Sequence, residues 1–259
     1  MSQSSKRGVI YFVGGGPGDP DLITVRGQNI LRGAAFVLAP GFFRESYHEL
    51  LAGKEVVDPF DYHHAELVAK VGSYLERGED AVFLVPGDLA IFSPVQSIID
   101  HFGDDAKVVP GVGVLNAASA ILRRTFDLPG VSHSTIATSP KTITKSPDTI
   151  AALSKHQATL VLFMNNKPVE ELVAELSVGY PPDTPIFVLF DISMPGQKVV
   201  SSTLASLGED VDHEAFRDED VFKLIVVGKV LTATEEPKWW DQRKDMRDAR
   251  HAAKKAVKP

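Results

Sequence analysis

Runs in which nearly every residue is apolar alternate, through the first half of the chain, with stretches whose apolar residues recur every three or four positions. The first kind reads as strands buried on both faces, the second as amphipathic helices, and their alternation is the signature of βαβ units around a parallel sheet. Strands are expected at Val9–Val13, Ala35–Ala39, Glu55–Val57, Ala81–Val85 and Lys107–Val109, and helices at Ala65–Glu76 and Val112–Leu122, with a further helix starting near Val25. The pattern pauses at Leu128, Pro129 and Gly130 and then resumes. Strands are expected at Thr135–Thr138, Thr159–Met164, Pro185–Phe190, Lys198–Ser202 and Phe222–Val227, and helices near Pro168–Leu176 and Thr203–Leu207. Only Ser193-Met194-Pro195-Gly196 and a few flanking residues separate two of these strands, which implies an antiparallel hairpin and hence a mixed second sheet. The fold class expected is α/β with two domains, residues 8–126 with a mainly parallel sheet and 127–235 with a mixed one, followed by a basic tail at 236–259.

Three strand ends share one feature. GGGPGD follows the first strand, PGD follows the fourth, and PGVG follows the fifth. Ligands of open α/β sheets bind beyond the carboxyl ends of strands, so three such loops are expected to converge on one crevice. The glycine loop admits several readings. In a dinucleotide fingerprint Gly14 and Gly16 would fit, but the third glycine position holds Asp19, whose charge opposes a phosphate. The second strand also runs into Leu38-Ala39-Pro40 rather than the acid that binds ribose hydroxyls. A phosphate loop of the Gly-Lys-Ser/Thr type fails because no such triplet follows. A purely structural turn stays open, as does a capping role for Asp21 or Thr24 at the helix near Val25.

Composition removes other classes. None of the 259 residues is cysteine, which excludes disulfides, thiolate zinc sites and a thiol nucleophile. No apolar run approaches the ~20 residues of a membrane span, and the opening MSQSSKRG lacks a signal-peptide core, so a cytoplasmic location is expected. From Trp240 onward seven Lys or Arg face three Asp, leaving this tail at +4 and the rest of the chain at −11. A tail without a continuous apolar face reads as a solvated helix, and an acidic body argues against nucleic acid as a partner. Asp61-Tyr62-His63-His64 lacks a spaced third ligand, so no metal site is expected.

Taken together, "GGGPGDPDLITVRG", "VPGDLAIFSP", "VVPGVGVLNAASA", "TLVLFMNN" and "TPIFVLFDISMPGQKVVSSTLASL" occur in the order found in the S-adenosylmethionine-dependent tetrapyrrole methylases, and the chain resembles that family over most of residues 8 to 230. "LPGVSHSTIATS" and "PGQKVVSSTL" resemble the branch that methylates carbon C11 of precorrin-4 or cobalt-precorrin-4. The resemblance implies a cytoplasmic homodimer in cobalamin biosynthesis, with S-adenosylmethionine as methyl donor, a tetrapyrrole acceptor, and the active site in a cleft between two domains. Related acceptors (another precorrin position, protein, RNA or peptide) or a non-catalytic binding module are the alternatives. Three segments depart from the branch: Leu38-Ala39-Pro40-Gly41-Phe42-Phe43, Gly87-Asp88-Leu89 and Ile192-Ser193-Met194-Pro195-Gly196.

Carried over position by position, the family's donor contacts imply Pro17, Pro86, Gly87, Asp88, Ile91, Gly113, Val114, Met164 and Ile192. Turn capping is the plain alternative for Asp88, and core filling for Met164. Asp88 and Asp19 are the candidates for a catalytic role, Asp19 as a base or as a positioning group. An acceptor bearing several carboxylates calls for donors at the cleft mouth. Arg26, Arg44, His48 and His63, with His64, Lys141 and Lys145, are the candidates; each has the alternative of an ordinary surface charge.

Overall fold

The computed structural model describes residues 7–143, 148–235 and 238–256. Two five-stranded sheets organise them. The first comprises β1 (Ile10–Gly14), β2 (Phe36–Leu38), β3 (Glu55–Val57), β4 (Ala81–Val85) and β5 (Ala106–Val109), all parallel, in the order β3-β2-β4-β1-β5. The second comprises β6 (Thr135–Thr138), β7 (Thr159–Phe163), β8 (Pro185–Phe190), β9 (Lys198–Thr203) and β10 (Lys223–Val227) in the order β6-β7-β10-β8-β9. There β6 runs parallel to β7, and the other pairings are antiparallel, including the β8–β9 hairpin.

The uniform apolarity of the first sheet's strands follows from helices on both faces. Ile10, Phe12, Phe36, Leu38, Phe83 and Val85 pack against α4 (His64–Glu76) and α5 (Gln96–Phe102). On the opposite face Val13, Val37, Val82 and Leu84 pack against α1 (Val25–Gly33), α2 (Gly41–Ser46) and α3 (His48–Leu51). At roughly 1.5–3 kcal/mol per large side chain fully removed from water, these two layers make the sheet a rigid base for the loops at its edge. Thr24 caps α1, its hydroxyl accepting from Gly27 N at 3.1 Å; Asp21 takes no part in that cap.

One face of the second sheet buries Leu160, Leu162, Ile186, Val188 and Ile225 under α7 (Ile150–Ser154), α8 (Val169–Leu176), α9 (Leu207–Asp210) and α10 (His213–Arg217). The other face, with Val161, Leu189, Leu224 and Val226, is covered by α6 (Val114–Leu122) through Ala117 and Ala118. Helix α6 therefore starts at the carboxyl edge of the first sheet and ends packed on the second. That one helix couples the two layers. A last helix, α11 (Lys238–Ala256), is solvent-exposed at every side chain described.

Some expected boundaries shift. The helix read over Thr203–Leu207 is not there: β9 continues through Thr203, which pairs with Pro185, and the helix begins at Leu207. The strand expected to end at Met164 ends at Phe163, because Met164 turns into the left-handed region at φ 49°. The strand expected from Phe222 begins at Lys223.

Candidate functional site

The order β4-β1-β5 places the three glycine-ended strands side by side, so their loops leave the same edge of the sheet together. They are joined backbone to backbone. Gly16 N donates to Gly87 O at 3.0 Å and Gly87 N to Gly16 O at 2.8 Å, while Gly15 N donates to Val85 O at 2.7 Å. The approach leaves no room for side chains. A Cβ on Gly111 would sit 2.4 Å from Gly87 O and 2.7 Å from Gly14 Cα, and one on Gly14 would sit 2.5 Å from Gly111 N. Gly16 and Gly87 in addition adopt φ values of 77° and 64°, which any other residue resists.

The glycine loop is fixed from behind. Buried Tyr47, at the α2–α3 junction, donates its hydroxyl to Gly15 O. Burial pushes the Tyr47 phenol pKa well up, and the charge of Asp19 pushes it further. Asp19 accepts from Asp21 N at 2.9 Å, and its own N–H donates to Ser193 Oγ at 3.2 Å. That second bond ties the glycine loop to the turn between β8 and β9.

Beyond these loops lies a cleft of about 390 Å³, within the range of small-molecule sites. All nine residues expected to hold the donor line it: Pro17, Pro86, Gly87, Asp88, Ile91, Gly113, Val114, Met164 and Ile192. First-sheet loops and α6 supply seven, and the ends of β7 and β8 supply Met164 and Ile192. The cleft therefore lies between the two sheets. Asp88 is half-buried at the cleft; its Oδ1 accepts from Ala90 N at 3.1 Å, and its Oδ2 lies against Gly113. That hydrogen bond is a turn cap, and the second oxygen lies beside Gly113, another residue of the cleft lining. Among the described residues, four of the six non-glycine positions in left-handed backbone, Phe92, Met164, Asp191 and Ser193, line or flank the cleft. Strain held in this way gathers at sites where geometry matters more than stability.

The described residues expected to meet the acceptor lie elsewhere. Arg26, Arg44, His48 and His63 are exposed, and none lines the cleft. His48 Nδ1 is engaged with Glu45 O at 3.1 Å, and His63 N donates to Glu66 Oε2 at 2.9 Å at the start of α4. The His64 ring packs edge-on against His101, Lys141 pairs with Glu219, and Lys145 lies outside the described residues. Among the described residues no three His, Asp or Glu side chains come together as a metal site.

Sequence reasoning missed several lining residues: Phe42, Phe92, Phe163, Met194, Phe222 and Lys223. Phe42 and Phe222 meet edge-on at 5.0 Å, and the rings of Phe92 and Phe163 lie tilted at 5.1 Å, so each pair spans the two sheets. Among the described residues, Lys223 and Asp88 are the only charged ones lining the cleft. The Lys223 ammonium bonds to the main-chain carbonyls of Asp218 and Val221, and burial lowers its pKa against the pull of Asp218 and Glu219.

Comparison with known proteins gives a consistent result. Residues 9–208 match the family model described as Tetrapyrrole (Corrin/Porphyrin) Methylases. The chain is 31% identical to a cobalt-precorrin-4 C(11)-methyltransferase of Methanocaldococcus jannaschii, over 86% of this chain and 88% of that one. It is 34% identical to a precorrin-4 C(11)-methyltransferase of Mycobacterium tuberculosis, over 86% and 92% of the two chains. Among solved structures it superimposes on a cobalt precorrin-4 methyltransferase with a TM-score of 0.80 at 26% identity, covering 90% of this chain and 99% of the other.

Proposed function

The chain belongs to the tetrapyrrole (corrin/porphyrin) methylases, and from that membership we propose that it is an S-adenosylmethionine-dependent C-methyltransferase of cobalamin biosynthesis that methylates C11 of precorrin-4 or cobalt-precorrin-4. The observation that carries this reading is the meeting of three strand-end loops in one cleft with apolar walls and the carboxylate of Asp88.

Those residues fit the donor. S-Adenosylmethionine, when bound, supplies a methyl group on a positively charged sulfur. Gly16, Gly87 and Gly113 line the cleft without side chains, which lets the donor approach main-chain oxygens closely, and Ile91, Val114, Met164 and Ile192 offer apolar surface to its adenosyl part. Asp88 supplies the negative charge. The chain has no cysteine, and the amine of Lys223, a nucleophile on the cleft wall, is held by carbonyls, so the donor is protected from wasteful attack. The acceptor is an electron-rich ring carbon, so the chain's main contribution is to hold both reactants in line and keep water out. Asp19 lies outside the cleft lining, and we assign it a positioning role: it bridges the glycine loop to Ser193.

We also read residues 8–126 and 127–235 as two domains carrying one sheet each and 236–259 as an accessory basic tail, in a protein that works as a cytoplasmic homodimer on a free tetrapyrrole. The separate apolar layers support the domain reading, and the family resemblance supports the rest. Among the described residues no helix is long and apolar enough to cross a membrane.

Incubation with methyl-labelled S-adenosylmethionine and a panel of precorrins tests the assignment. Label is expected at C11 of precorrin-4 or its cobalt form. Label appearing only in protein or RNA, or at another ring carbon, overturns it.

A further inference from the structure

Among the described residues, none of the cations expected to hold the acceptor lines the cleft, and the one cation that does, Lys223, which the sequence did not single out, has its ammonium engaged by main-chain carbonyls. Charge pairing inside the cleft is therefore a poor basis for recognising a ring. Aromatic surface is the alternative present. Two aromatic pairs face the cleft, and the chain positions of their members separate their roles. Phe92 follows Ile91 and Phe163 precedes Met164, so that pair belongs with the residues assigned to the donor. Phe42 comes from α2 and Phe222 from the residue before β10, and neither element carries a donor contact.

Phe222 is built as a rigid exposed ring. Its carbonyl accepts from Asp191 N at 3.0 Å, and its neighbour Lys223 staples the preceding turn to Asp218 and Val221. The residue nevertheless stays 49% exposed, with its ring against Phe42, which in turn rests on buried Phe43 at 4.4 Å. A large aromatic ring left half in water on a fixed backbone makes a preorganised surface for a flat apolar ligand.

We propose that the Phe42–Phe222 pair is the acceptor-facing wall of the cleft, taking a conjugated face of the tetrapyrrole by stacking and apolar contact while the ring's carboxylates are directed to the rim. This inference rests on the proposed function.

Phe222 is the better test position, because its exposure makes truncation harmless to the core. Phe222→Ala is expected to raise the acceptor KM about tenfold, equivalent to about 1.4 kcal/mol, with kcat and S-adenosylhomocysteine affinity within about twofold of wild type. Phe222→Tyr is expected to restore the acceptor KM, and Phe222→Leu to restore it only in part. The acceptor KM of the wild type is expected to change little between low and moderate salt, as stacking requires and ion pairing does not. An unmoved acceptor KM in Phe222→Ala, or an equal loss of S-adenosylhomocysteine affinity, overturns the inference while leaving the methylase assignment intact. A wild-type protein that methylates no precorrin overturns both.

Discussion

Replacing Gly111 with alanine adds one methyl group at the point where three strands meet. The new Cβ would lie 2.4 Å from Gly87 O and 2.7 Å from both the C and Cα atoms of Gly14, about 1 Å inside ordinary contact. Every one of these atoms is main chain, so no side chain can swing aside. The backbone of at least one loop must move by a comparable distance. Gly111 is not in the left-handed region, so the cost is overpacking alone, about 1–3 kcal/mol. At roughly 2–4 °C per kcal/mol for a chain of this size, the melting temperature should fall by about 2–12 °C. The larger effect falls on binding, since a displacement of about 1 Å in a preorganised site can cost two orders of magnitude in function. Calorimetric titration should therefore show S-adenosylhomocysteine affinity at least tenfold weaker. Gly72→Ala is the control. Gly72 lies inside α4 with nothing within 4 Å of the methyl group that alanine would add, and the change should stabilise by up to about 1 kcal/mol and leave binding unaltered. A Gly111→Ala protein that melts and binds like wild type would refute the reasoning.

Asp88→Ala removes the cleft's carboxylate and the cap on Ala90 N; S-adenosylhomocysteine affinity should fall tenfold or more by calorimetry, with a melting shift of only a few degrees. Tyr47→Phe leaves Gly15 O without its donor and should cost about 1–3 kcal/mol in urea unfolding. Burial raises the phenol pKa of both Tyr47 and Tyr180 above the ordinary value of 10, so each contributes stability that is fully present below pH 10 and is lost as pH climbs above it. Each group steepens that alkaline loss by up to about 1.4 kcal/mol per pH unit, and Tyr47→Phe should remove one such contribution from the urea midpoint measured between pH 9 and about 11.5.

The strands were legible because a strand buried on both faces must be largely apolar, as Ala81–Val85 and the Leu160–Phe163 run of β7 are. The convergence of the three loops was legible for a related reason: glycine and proline immediately after a buried strand mark places where backbones approach closely. Short elements held by tertiary contact were not. Helices α2 and α3 sit in Gly41–Leu51, where Phe43, Tyr47 and Leu51 recur every four residues and are buried against the sheet, but the leading Pro40-Gly41 and the break at Tyr47 split that pattern into two helices too short to stand out. The reach of α6 onto the second sheet was likewise hidden, since an apolar helical face does not name its partner. The aromatic pairs join residues 180 and 71 positions apart, and no local pattern records such a meeting. Charge was the least informative signal. Arg26, Arg44, His48 and His63 have the right chemistry for carboxylates, but helix and loop geometry carries them to exposed positions off the cleft.

A co-crystal structure with S-adenosylhomocysteine tests the central claim most directly. One molecule is expected in contact with Pro17, Asp88 and Gly113 at once, its sulfur facing the space beside Phe42 and Phe222. A molecule bound away from these three loops, or touching only one of them, would contradict it.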